Sequence, residues 1–168
     1  ANSLFDPDVT GVGHQPAYFD TLCGAPNTNA PYAQYCVNGC AMDVLFRNIS
    51  NFSVAVAVSF QPPGGTAPTS LSEARESPTT TVMILGQVGS ANAMGQIKAY
   101  RNMRDLLGVK DIADNQHATA AYNANPVARA YASLVAFNLD GSITADIKAE
   151  VRATYFTKFS YMNKMAQS

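Results

Sequence analysis

Hydrophobic and polar residues alternate along residues 143–161 for longer than anywhere else in the chain. Ile143, Ala145, Ile147, Ala149, Val151, Ala153, Tyr155, Thr157, Phe159 and Tyr161 take one parity. Thr144, Asp146, Lys148, Glu150, Arg152, Thr154, Phe156, Lys158 and Ser160 take the other. A period of two is the spacing of a strand, and a helix would scatter the same apolar residues around its circumference. The pattern predicts one long strand, with one face in a core and the other carrying charges of both signs. Such a strand needs long partners.

Other segments supply candidates. Residues 54–60 alternate Val54, Val56, Val58 and Phe60 against Ala55, Ala57 and Ser59, a strand with one bulky and one small face. Residues 36–47 read as a strand through Met42, Val44 and Phe46. Asn38-Gly39 inside it fits a hairpin turn or a bulge, and the bulge is preferred because residues 32–37 offer little alternation for a separate partner. Residues 32–35 read as a short turn. Residues 79–88, 96–100 and 128–139 complete the strand set. Short helical turns are expected at 17–22, at 70–76 behind the capping pair Ser70 and Glu73, and at 101–107 with Gly108 as C-cap.

The connections alternate in length: 6–35 long, 48–53 short, 61–78 long, 89–95 short, 101–127 long, and the tight turn Asp140-Gly141-Ser142 short. Successive antiparallel strands connect at opposite ends of a domain. All the short connections therefore gather at one end. That asymmetry predicts an all-β fold, an antiparallel eight-stranded single jelly roll, with a short extended opening remnant at residues 1–5 and the six strands within 36–161 as strands C through I, and strand B missing.

At 168 residues one domain is the default, long enough to bury a core. Charged residues make up 14% and the net charge is −1, so no polyanion-binding surface is advertised. No apolar run approaches a membrane span or a signal-peptide core. The cysteines number three: Cys23, Cys36 and Cys40. An odd count argues against a fully paired framework. On one strand, Cys36 and Cys40 would stand about 13 Å apart, beyond the roughly 7 Å a disulfide spans. Buried free thiols are expected. No nucleophile–base arrangement, phosphate loop or paired-carboxylate signature stands out, so the chain does not read as an enzyme and no cofactor is expected.

Several ordered motifs point further. Asn2-Ser3-Leu4-Phe5-Asp6-Pro7-Asp8 is followed by Gly13-His14-Gln15-Pro16, Phe19-Asp20, and Tyr32-x-x-Tyr35-x-Val37. Later come residues 97–104 leading to Gly108, and Glu150-Val151-Arg152-Ala153-Thr154-Tyr155-Phe156. Together they resemble capsid proteins of small circular single-stranded DNA viruses, the circovirus-like and cruci-like group with a tombusvirus-type jelly roll. The resemblance implies a virion shell protein that assembles with copies of itself into an icosahedral particle around a genome. It implies that the short connections, marked by Asn48, Asn51, Gly89, Gly95, Asp140 and Gly141, lie near the fivefold axis. It also implies a basic N-terminal arm and first strands, which this stretch lacks. Without strand B the edge of 143–161 would be unpaired, so a segment of the same polypeptide or of a neighbouring one is expected to cover it.

Phosphate contacts require Lys and Arg. The candidates are Lys98, Arg101 and Arg104 at the end of one strand and Lys148, Arg152 and Lys158 on the polar face of the last. Asp146 and Glu150 interleave the latter set, which favours a solvated or salt-bridged face over genome contact. His14 and His117 stand far apart, and His14 reads as a loop hydrogen-bonder rather than a ligand. Asp6, Asp8, Asp20 and Asp43 read as turn and cap residues before calcium ligands. Asn48-Ile49-Ser50 and Asn51-Phe52-Ser53 match the glycosylation sequon, a weak signal without a secretion signal.

Overall fold

The computed structural model describes residues 3–7, 15–26, 28–112, 115–139 and 145–163. Among these, three short helices and seven strands follow one another. They are α1 (Phe19–Leu22), β1 (Tyr32–Asn48), β2 (Val54–Gln61), α2 (Leu71–Glu76), β3 (Thr80–Leu85), β4 (Met94–Asn102), α3 (Met103–Leu107), β5 (Thr119–Ala121), β6 (Tyr131–Asn138) and β7 (Ile147–Met162). The fold is all-β, in two antiparallel sheets. In the first, β4, β5 and β7 each pair with β1; the second has the order β3-β2-β6.

One departure from expectation concerns β1. It is one continuous strand from Tyr32, so residues 32–35 extend it rather than form a turn. Tyr35, Cys36 and Val37 are all buried, and a strand covered on both faces shows no alternation to read. Its exposed positions then switch from even, at Asn38, to odd, at Leu45 and Arg47. A one-residue irregularity between them, such as the bulge preferred over a hairpin at Asn38-Gly39, would produce that switch. The second departure is β5, which pairs with residues 34–36 of β1 inside a segment expected to be irregular. The strand count among the described residues is seven, where eight were expected.

The chain divides into two compact units. The first contains Ala1–Cys40, Asn102–Tyr131 and Tyr155–Ser168; the second contains Ala41–Arg101 and Ala132–Thr154. In the second, β2 is buried at every position. Its small face, Ala55 and Ala57, packs with Ala74 of α2 and Phe137 of β6, against Leu71, Val82 and Val135. Its bulky face, Val54, Val56, Val58 and Phe60, joins Met42, Val44, Phe46 and Ile97 in the buried core. Helix α2 forms where the capping pair predicts it: Ser70 Oγ accepts from the Glu73 amide at 3.2 Å, and the Glu73 carboxylate accepts from the Thr69 amide at 2.8 Å. The Thr69 amide and the Thr69 hydroxyl, which also bonds this carboxylate, hold the Glu73 carboxyl below its usual range.

The first unit is organised by aromatic packing. Phe19 meets Tyr35 edge-on at 5.3 Å between centroids, and Phe159 stacks on Tyr32 at 5.9 Å. The Tyr35 hydroxyl donates to the Ala124 carbonyl at 2.9 Å and bonds Ser3 Oγ at 3.0 Å; Ser3 also bonds Asn125. Burial raises the Tyr35 pKa, although the bonds with the Ser3 hydroxyl and the Phe5 and Leu4 backbone work against it. Asn163, just past β7, donates through Nδ2 to the carbonyls of Gly24, Ala25 and Ala30. Cys23, Cys36 and Cys40 are all buried.

Candidate functional site

The expected gathering of short connections occurs around Asn48, which is fully buried where β1 ends. Its Nδ2 donates to Phe52 O at 2.7 Å and to Gly86 O at 2.9 Å, and its Oδ1 accepts from the Ser50 amide at 2.8 Å. Its own amide donates to Ala93 O. Next to it, the Ile49 amide donates to Asp146 O, the Val88 amide donates to Ser50 O, and the Asp146 amide donates to Ser50 Oγ at 2.8 Å. The turn after β1 and the loop before β4 are thereby tied to Asn48, and the residue before β7 is tied to its neighbours Ile49 and Ser50. Residues 140–144, including Asp140 and Gly141, fall outside the described residues.

The other residues of this end differ in role. Asn51 is exposed, so it alone of the two sequon asparagines is open to solvent. Gly89 has φ +83° in open surroundings, a turn position suited to glycine. Gly95 is in β4 where a Cβ would collide with Met83 and Leu85, so the absence of a side chain permits close packing. Val88 and Met94, both about half exposed, add apolar surface to this end beside the exposed polar residues Asn51, Gln87 and Asn92.

The second candidate surface is the outer face of β1, β4 and β7. Asp43 of β1 accepts from Gln96 Nε2 at 2.6 Å and stands 3.8 Å from Lys98 Nζ, both on β4. Lys98, Tyr100, Asp43, Arg152 and Thr154 line a shallow groove of about 370 Å³. Lys98 and Arg152, expected on separate strands, thus share one groove with Asp43. Lys148 is exposed on β7.

Arg101 is engaged within the fold. Its guanidinium donates to the carbonyls of Pro78 and Tyr100, each at 2.8 Å, and lies 5.9 Å from the Phe60 ring centroid. Arg104 and Lys158 belong to the other unit. Arg104 pairs with Asp105 at 3.4 Å. Burial raises the Cys36 pKa, while a hydrogen bond to Thr119 and the Lys158 charge work against it.

Other candidates do not converge. No group of three metal-ligating side chains occurs among the described residues. His14 and Asp8 fall outside them. The His117 amide bonds Asn115 Oδ1, and its carbonyl accepts from the Ala128 amide. Asn163 escaped sequence reading, and the sequence marks Asn48 only as part of a short connection and not as a buried centre, because an Asn in a turn-rich stretch carries no mark of burial. No protein-family model matches the chain, and no curated protein matches it significantly.

Proposed function

We propose that the chain is a structural subunit, a single jelly roll that assembles with copies of itself into an icosahedral virion shell around a small genome. The observation that supports this best is the strand order together with the cluster at Asn48. Setting aside the three-residue β5, the first sheet holds β1, β4 and β7 and the second β2, β3 and β6. The Asn48 amide turns to β4 and the neighbouring Ile49 amide to β7. Successive amides of a strand point to opposite edges, so β4 and β7 flank β1 from opposite sides. The orders β7-β1-β4 and β6-β2-β3 are those of the last six strands of a jelly roll. On this reading β1 is strand D, the letter the loop lengths give it, and it neighbours the final strand.

A shell subunit must bury area against several neighbours. Ile84, Val88, Met94, Leu134 and Val151 are each more than a third exposed. Apolar exposure of that extent suits contact surfaces. The apolar surface at Val88 and Met94 fits the position where subunits converge on a symmetry axis. The genome, single-stranded DNA on the resemblance, would be held mainly by a basic arm, with Lys98 and Arg152 adding phosphate contacts.

Negative-stain microscopy of the native material, with intact mass of the subunit, tests the reading. Uniform icosahedral particles are expected. A monodisperse monomer or trimer would overturn it in favour of a jelly-roll binding module.

A further inference from the structure

Among the described strands β7 has one partner, β1, and no described strand pairs with its other edge. The Asp146 carbonyl turns toward β1, where it accepts from Ile49. By alternation, Ile147, Ala149, Val151 and Ala153 present their backbone groups to that other edge. Asp146, Lys148, Glu150 and Arg152 are exposed and alternate in sign. Among the described residues, ion pairs join Lys98 to Asp43 and Arg104 to Asp105, and neither engages these four.

We propose that this edge pairs antiparallel with the same edge of a second copy, about a twofold axis at Ala149. In that register Asp146 faces Arg152 of the other copy and Lys148 faces Glu150, and symmetry repeats both pairs. Ile147 faces Val151, and Ala149 faces itself. Because the odd residues direct their backbone outward, Ile147, Ala149 and Val151 would form about six interchain hydrogen bonds. The even residues then form the closer, non-hydrogen-bonded pairs, where opposite charges attract most.

The charge pattern excludes the neighbouring registers. An axis at Glu150 sets Glu150 against itself and Lys148 against Arg152. An axis at Lys148 sets Lys148 against itself and Asp146 against Glu150. A parallel arrangement puts like charges side by side throughout. Moving the axis to Val151 keeps the Glu150–Arg152 pair and leaves Lys148 opposite Thr154. The axis at Ala149 therefore matches all four charges. The same surface is isologous, the form that a closed two-fold contact requires. This inference rests on the strand edge and stands apart from the shell reading.

Cysteine cross-linking tests the register whether the material is a dimer or a larger particle. Lys148→Cys and Glu150→Cys chains, mixed and oxidised, should give a disulfide between one chain of each kind. Either variant alone should give far less. Sedimentation supplies the second readout. Lys148→Glu with Arg152→Glu makes the edge wholly acidic and should weaken self-association roughly a hundredfold. Exchanging all four charges (D146K/K148E/E150K/R152D) should restore it. Circular dichroism verifies that each variant folds, as exposed substitutions permit. No mixed disulfide, or association indifferent to the acidic pair, would overturn the proposal. A strand from a segment outside residues 1–168 occupying the edge would give that negative result.

Discussion

The side-chain amide of Asn48 reaches the backbone carbonyl of Gly86 at 2.9 Å from a fully buried position. With the bond to Phe52 O, it satisfies two loop carbonyls at once. Asn48→Ala removes both donors and leaves buried acceptors without a partner, at a cost of about 2–4 kcal/mol. Asn48→Asp should cost at least as much, since a carboxylate cannot donate. Urea unfolding of the two variants against the parent checks this; an Asn48→Ala loss below about 0.5 kcal/mol would contradict the hub described here.

Gly95 makes a sharper case. A side chain there meets Met83 and Leu85. Gly95→Val should destabilise by about 1–3 kcal/mol through overpacking. Met83→Ala alone leaves a gap and should also destabilise. Combined, the two should cost less than their sum, and a double-mutant cycle by thermal unfolding measures the coupling.

The basic residues separate by stability. Arg101→Ala removes two guanidinium bonds and the contact over Phe60, and should cost about 1–3 kcal/mol. Lys98→Ala removes an exposed pair with Asp43 and should change stability by less than about 1 kcal/mol. Equal losses at the two positions would show that Arg101 has no special structural role.

Burial pushes the Cys23 thiol up to about 11, from an ordinary value near 9, with the Asp20 charge adding to the rise. A raised folded pKa favours the protonated thiol. Its contribution to stability is complete below the unfolded value and is lost as pH climbs from about 9 to about 11. Burial raises Cys36, Cys40, Tyr35 and Tyr155 in the same direction. Denaturant midpoints should therefore fall between pH 8 and pH 10.5. Cys23→Ala should flatten part of that slope and leave the remainder to the other groups. A midpoint independent of pH across this range would contradict the burial of these groups.

Legibility in the sequence followed side-chain pattern. The strand at Val54 and the helix behind Ser70 were readable because alternation and capping are local signals. Tyr32–Tyr35 was not, because both faces of the strand are covered near Tyr35. Thr119–Ala121 lacks any bulky residue to mark it. On β7 the alternation implied a covered apolar face, yet Ala149, Val151 and Ala153 are exposed. No described strand or helix covers that face. At the candidate surfaces, composition named Lys98 and Arg152, but only the pairing of β4 and β7 with β1 brings them to one groove. Arg101 looked equivalent to Lys98 until the carbonyl of Pro78 came within reach of it.

The bond between Ser50 and Asp146 closes a separation of 96 residues. Contacts so distant in the chain form slowly, since the loop must close before any of them is rewarded. During synthesis, the end of β1 at Asn48 is made about 5–20 s before Asp146. Throughout that interval the side of β1 awaiting β7 presents bare amides and carbonyls. Nascent chains on one polysome are then exposed to premature cross-pairing, and a holdase that shields the β1 edge should raise the yield of folded protein.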